Sequence, residues 1–181
     1  NALMKVVAVF SVLGIPYLTL MPVVARRVLH LGAGGYGLLL ACVGTGGLLG
    51  ALGLASLGDR FSRGRLLSVA SMLFASLLIA FSFSRSTVFA CVVLLATGFT
   101  MIVNNALCNA MLQHLVPDHL RGRLMAAYSL VVVGISQVFG SFIAGTLAES
   151  FGVTVAIGGT AAIMFAYSWY AFFRRPELRS L

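Results

Sequence analysis

Few side chains in this sequence could do chemistry, and most of those that could are amides or arginines. Asn105, Asn109 and Gln113 recur every four residues, with Asn104 and Cys108 beside them, so on a helix they share one face. An amide neither gains nor loses a proton near neutrality. It can donate and accept hydrogen bonds, which suits either bonding between helices or the lining of a cavity. Gly134, Gln137, Ser141 and Gly145 form a second such face, with Gln137 near its middle. Tyr17 follows Pro16, where an aromatic ring could stack on an amphipathic ligand or simply pack. The densest charge lies in Gly58-Asp59-Arg60-Phe61-Ser62-Arg63-Gly64-Arg65, where Asp59 is within reach of Arg60, Arg63 and Arg65.

Other chemistries lack their residues. His30, His114 and His119 fall in or beside connections and lack metal-ligand spacing, so neither a metal site nor a serine–histidine protease buried in a bundle is expected, and no catalytic residue is assigned. Gly44-Thr45-Gly46-Gly47-Leu48-Leu49-Gly50 is as glycine-rich as a phosphate-binding loop. No strand precedes it and no Lys-Ser/Thr follows, so close helix packing through Gly46 and Gly50 is the better reading, and no cofactor is expected. Cys42, Cys91 and Cys108 lie inside apolar runs as small packing residues.

The elements that must position these residues are set by hydropathy. The chain has 181 residues, 60% of them hydrophobic, at a mean hydropathy of +1.05. Only 9% are charged, against roughly 25% in a soluble domain. That much apolar surface needs lipid as its solvent. Six segments are each long enough to cross a hydrocarbon core, at about Leu3 to Ala25, Tyr36 to Leu57, Leu66 to Phe83, Thr87 to Gln113, Leu124 to Ala148 and Val153 to Phe173. Pro16 and Pro22 predict kinks in the first. Strand alternation is missing, so the expected fold is an all-α membrane bundle over 1–181. The chain begins at Asn1 rather than Met, which predicts a piece of a longer protein.

The net charge of +8 does not imply a nucleic-acid partner, because the arginines sit in short connections between apolar runs. One face of the bundle collects nine basic residues (Lys5, Arg60, Arg63, Arg65, Arg121, Arg123, Arg174, Arg175 and Arg179), the other only Arg26, Arg27 and Arg85. The excess of positive charge predicts that the first face, with both termini, is cytoplasmic. No Asp or Glu lies inside a span, since Asp59, Asp118, Glu149 and Glu177 stand at or beyond helix ends. A proton-coupled carrier normally needs a titratable group within the membrane, so if the chain belonged to one, the coupling carboxylate would lie in another part of the protein.

An offset of 90 residues brings Gly44 onto Gly134, Gly50 onto Gly140, Asp59 onto Glu149 and Phe61 onto Phe151. That predicts a three-helix unit used twice, over about 1–86 and 87–181, with the second copy inverted.

These residues resemble the C-terminal six-helix half of a major facilitator superfamily transporter. Leu57-Gly58-Asp59-Arg60-Phe61-Ser62-Arg63-Gly64-Arg65 is similar to that superfamily's G-x-x-x-D-R-x-G-R-R loop, although Ala55 and Ser62 replace two of its glycines. Gly145 to Gly152 keeps the glycine spacing, with Glu149 in place of the aspartate. Gln113-His114-Leu115-Val116-Pro117-Asp118-His119-Leu120-Arg121-Gly122-Arg123 resembles the Q-x-x-V-P-x-x-x-R-G-R connection of the enterobactin- and macrolide-exporter branch.

The resemblance implies alternating access in a bacterial inner membrane. It implies export of amphipathic drugs, macrolides or siderophores in exchange for protons. The partners would be lipid, a small-molecule substrate and an N-terminal six-helix half of the same protein. Asp59, Arg60, Arg63 and Arg65, with Asp118, Arg121 and Arg123, would form a cytoplasmic gate, where the competing reading is a basic turn that only fixes topology. Tyr17, Asn105, Asn109 and Gln137 are the substrate-cavity candidates, and packing between helices is the alternative for each. An uptake permease of the same fold and a non-transporting membrane scaffold remain as other readings of the whole chain.

Overall fold

Prolines and glycines decide where the apolar segments start, break and touch. A computed structural model describes residues 10–14, 16–57, 62–114, 122, 125–126, 128–130, 134 and 136–174. Among these residues there are six α-helices and no strand: α1 (Tyr17–Arg27), α2 (Ala33–Leu57), α3 (Arg63–Ser82), α4 (Thr87–His114), α5 (Ser136–Phe151) and α6 (Val153–Arg174). Ala33–Ser56, Arg63–Ser82, Thr87–Met111 and Val153–Tyr170 are long and apolar enough to span a bilayer. The chain is therefore an all-α membrane protein, as its composition predicts. The described parts of the first and fifth expected spans are shorter, at 11 residues in α1 and 16 in α5.

The first segment is interrupted at one proline and passes through the other. A π-helical turn, Phe10–Gly14, precedes Pro16. The Pro16 carbonyl then accepts from Thr19 and Leu20 at 3.0 and 3.4 Å and starts α1. Proline suits a helix start, where its missing N–H has no intrahelical partner to lose. Pro22 lies inside α1 with its ring exposed, and the helix continues past it. Gly34 and Gly35, just before the expected start of the second span at Tyr36, are already helical. Gly35 and Tyr36 donate to the Gly32 carbonyl at 3.1 and 3.2 Å, so Gly34 and Gly35 belong to the first turn of α2. At the other end of the chain a single residue, Gly152, joins α5 to α6 at φ +89°, a left-handed conformation that other residues adopt at a cost.

Two kinds of seam hold the bundle. Along the seam between α2 and α4, backbone meets backbone. A Cβ on Gly46 would overlap the Leu95 carbonyl, one on Gly98 the Val43 carbonyl, and one on Gly50 would stand 2.6 Å from the Phe99 carbonyl oxygen. Gly46 faces Leu95 and Gly50 faces Phe99, so the two helices run parallel in register. Lipid supplies no hydrophobic drive between helices, and close approach through small residues replaces it.

The seams around α3 are filled by side chains. Phe74, Leu78 and Phe81 of α3 are almost wholly buried with Met21 of α1, Leu94 of α4, and Ile157 and Met164 of α6. The Phe74 ring lies 4.9 Å from that of Phe10 and 6.0 Å from that of Tyr17. A second cluster joins Leu67 and Ala70 of α3 to Val103, Leu107 and Met111 of α4, with Tyr128. Leu48 and Leu52 on α2, Val88 and Val92 on α4, and Phe139 and Phe142 on α5 remain exposed. In a membrane these surfaces face lipid or further protein.

Candidate functional site

α4 positions most of the polar side chains, because its contacts with α2 and α3 fix which amide points where. Asn104 faces α3 and is fully buried. Its Nδ2 donates to Ser71 Oγ at 2.6 Å, and the Cys108 thiol donates to its Oδ1 at 3.5 Å. Both ends of this amide are thus satisfied by protein, as burial away from water requires. Thr97 and Thr100, also buried on α4, donate their hydroxyls to carbonyls within the helix, to Val93 and to Ala96 and Thr97.

Asn105 and Asn109 lie on a different face and are half-buried. Asn109 Nδ2 donates to the Asn105 carbonyl at 3.1 Å, a bond within one turn that ties neither residue to another helix. Met101 lies one turn before Asn105 on the same face. Tyr17 is 3% exposed, packs edge-on to Phe74, and donates its hydroxyl to Met101 Sδ at 3.8 Å. The structure therefore brings Tyr17 of α1 to the end of the Asn105–Asn109 ridge, with its ring inside the core.

Gln137 is half-buried on α5, whose main neighbours are α6 and the first segment. One turn on, Ser141 Oγ and Thr19 Oγ1 share a hydrogen bond of 3.0 Å across the α5–α1 contact. Gly140 makes that contact possible, since a Cβ there would overlap the Val12 carbonyl and lie 2.6 Å from Pro16 Cγ. Gln113 is exposed near the end of α4. Of the loop residues, Arg63 and Arg65 begin α3, Arg65 exposed and Arg63 half-buried. Asp59, Arg60, Asp118, Arg121 and Arg123 lie outside the described residues.

The arrangement can present neutral hydrogen-bonding groups beside aromatic and thioether surface. The described residues contain no group of three or more His, Cys, Asp or Glu side chains placed to hold a metal ion. Glu149, their one carboxylate, is exposed near the end of α5.

Residues 1–180 match the family described as transmembrane secretion effector, a family of major facilitator type. The chain belongs to that family. No curated protein and no solved structure matches it. Membership makes the chain a transmembrane transporter or secretion effector, and a six-helix bundle whose polar groups are mostly uncharged amides and hydroxyls fits that role. Sequence spacing identified the amide-bearing helix but not the Asn104–Ser71 bond or the Thr19–Ser141 bond. A hydroxyl on an apolar run carries no sign of which distant helix it will meet.

Proposed function

We propose that this bundle is the C-terminal six-helix half of a secondary active transporter that exports amphipathic small molecules by alternating access in exchange for protons. The observation that carries the reading is the ridge of Asn105 and Asn109, half-buried and, among the described residues, bonded only along its own helix, with the Tyr17 hydroxyl one turn away through Met101. Polar groups that packing does not use are the ones left for a substrate. Gln137 extends the cavity from α5. The coupling carboxylate belongs to a second, N-terminal six-helix half.

The inverted repeat, 1–86 against 87–181, draws support from a matched pair of contacts. Gly50 of α2 packs on the backbone of α4, and Gly140, 90 residues on, packs on the backbone of the first segment at Val12. In each case the second helix of one unit lies on the first helix of the other, as exchange of two like halves requires. The basic loops set both termini on the cytoplasmic side of a bacterial inner membrane. Asp59 pairs with arginines such as Arg121 or Arg123 as a cytoplasmic latch, an ion pair worth about 0–1 kcal/mol when exposed. That is enough to bias two conformations of similar energy without holding the fold together.

The test is efflux of a lipophilic cation from cells carrying the full-length protein. Faster efflux, abolished by collapsing the proton gradient, is the expected result. Accumulation instead of efflux would indicate an uptake permease, and no change across a broad substrate panel would favour a scaffold. The isolated 181-residue unit should not transport, because one half encloses no two-sided cavity.

A further inference from the structure

The elbow between α1 and α2 holds a cavity of about 470 Å³ that the transport reading does not use. Its charged wall is Arg26 and Arg27, from the last turn of α1. Its apolar wall is Pro22, Val23 and Leu31, and the Tyr36 ring comes from the first turn of α2. The volume is within the range of small-molecule sites, roughly 300–1,000 Å³. Among the described residues no carboxylate lines it, so Arg26 and Arg27 contribute their charge without compensation from its own wall.

The elbow is a constructed turn. Val28 and Leu29 both donate to the Val24 carbonyl at 3.0 Å, and Leu31 donates to Ala25 at 2.8 Å. His30 is held at φ 53°, the one non-glycine residue with positive φ among the described residues. Leu31 packs on the bare backbone of Gly35, where a Cβ would stand 2.5 Å from its own Cβ. A local cost of this kind persists where the surrounding structure over-determines it.

Charge placement points the same way. Among the described residues, Arg26 and Arg27 are two of three Lys or Arg side chains at their end of the bundle, the third being Arg85. Cations at the C-terminal end of a helix are favourable in themselves, which accounts for their position on α1. It does not account for both of them lining one cavity with an apolar floor.

We propose that this cavity binds a phosphate-bearing anion, with the phosphate between Arg26 and Arg27 and its uncharged stem against Leu31 and Tyr36. Guanidinium groups bind phosphate oxygens through paired, charge-assisted hydrogen bonds, whereas a carboxylate-free apolar floor favours the less polar part of the same ligand. Two sources share this chemistry, the headgroup of an anionic phospholipid and a soluble phosphoester.

The test uses the full-length protein in phosphatidylcholine nanodiscs, with phosphatidylglycerol titrated in one arm and glycerol 3-phosphate in the other. Binding is read by native mass spectrometry. Saturable binding of one ligand per protein is expected, weakened about tenfold by Arg26→Gln or Arg27→Gln. Ala33→Trp, which fills the cavity without changing its charge, should weaken binding as well. Arg85→Gln should leave it unchanged. Binding in the lipid arm alone assigns a headgroup, and binding in the aqueous arm a soluble phosphoester. No saturable binding in either arm overturns the proposal. So does a loss with Arg85→Gln equal to that with Arg26→Gln, which would mean general surface charge. Arg26→Lys, which keeps the charge and loses the planar fork, covers the case in which the glutamine variants fail to fold and should still weaken binding.

Discussion

On α4, Asn104 is sealed between helices with both ends of its amide bonded to protein, whereas Asn105 and Asn109 stay half-buried and, among the described residues, bond only within their own turn. One residue of offset turns the side chain by about 100° around the helix axis. That rotation separates an amide sealed against Ser71 on α3 from amides that stay half-buried. The same residue type on the same helix is thus bonded across a seam at one position and along its own helix at the next, according to the partners each meets. The α2–α4 seam makes a complementary point, because it closes through bare glycine backbone with carbonyl atoms in direct contact.

These differences can be broken one at a time, starting with the seam that supports the helix. Gly46→Leu would drive a side chain into the Leu95 carbonyl and should cost about 3 kcal/mol or more, near the upper end of overpacking penalties. The expected outcome is loss of monodisperse protein on size exclusion after detergent extraction. A normal yield would mean that the two backbones do not touch.

Asn104→Leu strands the Ser71 hydroxyl and should cost about 1–2 kcal/mol, seen as a lower thermal midpoint in detergent. Transport per folded molecule should be unchanged. Asn105→Ala combined with Asn109→Ala should shift stability by less than about 0.5 kcal/mol, as is usual for side chains without long-range partners. The same pair should change apparent KM, by about three- to tenfold, for substrates that use the amides. Thr19→Val should remove only the shared bond to Ser141, worth about 0.6 kcal/mol in a membrane, detectable as a small drop in midpoint that a Ser141→Ala background cancels.

The helices themselves were largely readable from hydropathy. The turn around Arg85 and Ser86 falls where the polar pair interrupts the apolar run, with α3 ending at Ser82 and α4 starting at Thr87. The start of α2 was less readable, because Gly34 and Gly35 look like loop residues until the Gly32 carbonyl is seen to accept the first helical bonds. The amide face could be found by spacing. Its division into packing and free amides could not, since it depends on Ser71, 33 residues away in sequence. The elbow cavity left only a faint sequence signal, two adjacent arginines at the end poor in basic residues. Its walls come from two helices whose angle no local pattern records.

The most direct test of the account is substrate transport by the full-length protein, normalised to folded protein, for Asn104→Leu beside the Asn105→Ala/Asn109→Ala pair. Lower stability with an unchanged substrate profile is expected for the first, and unchanged stability with an altered profile for the second. An unchanged profile in the double variant, or an altered one in Asn104→Leu at equal folding, would contradict the assignment of the ridge to substrate and of Asn104 to packing.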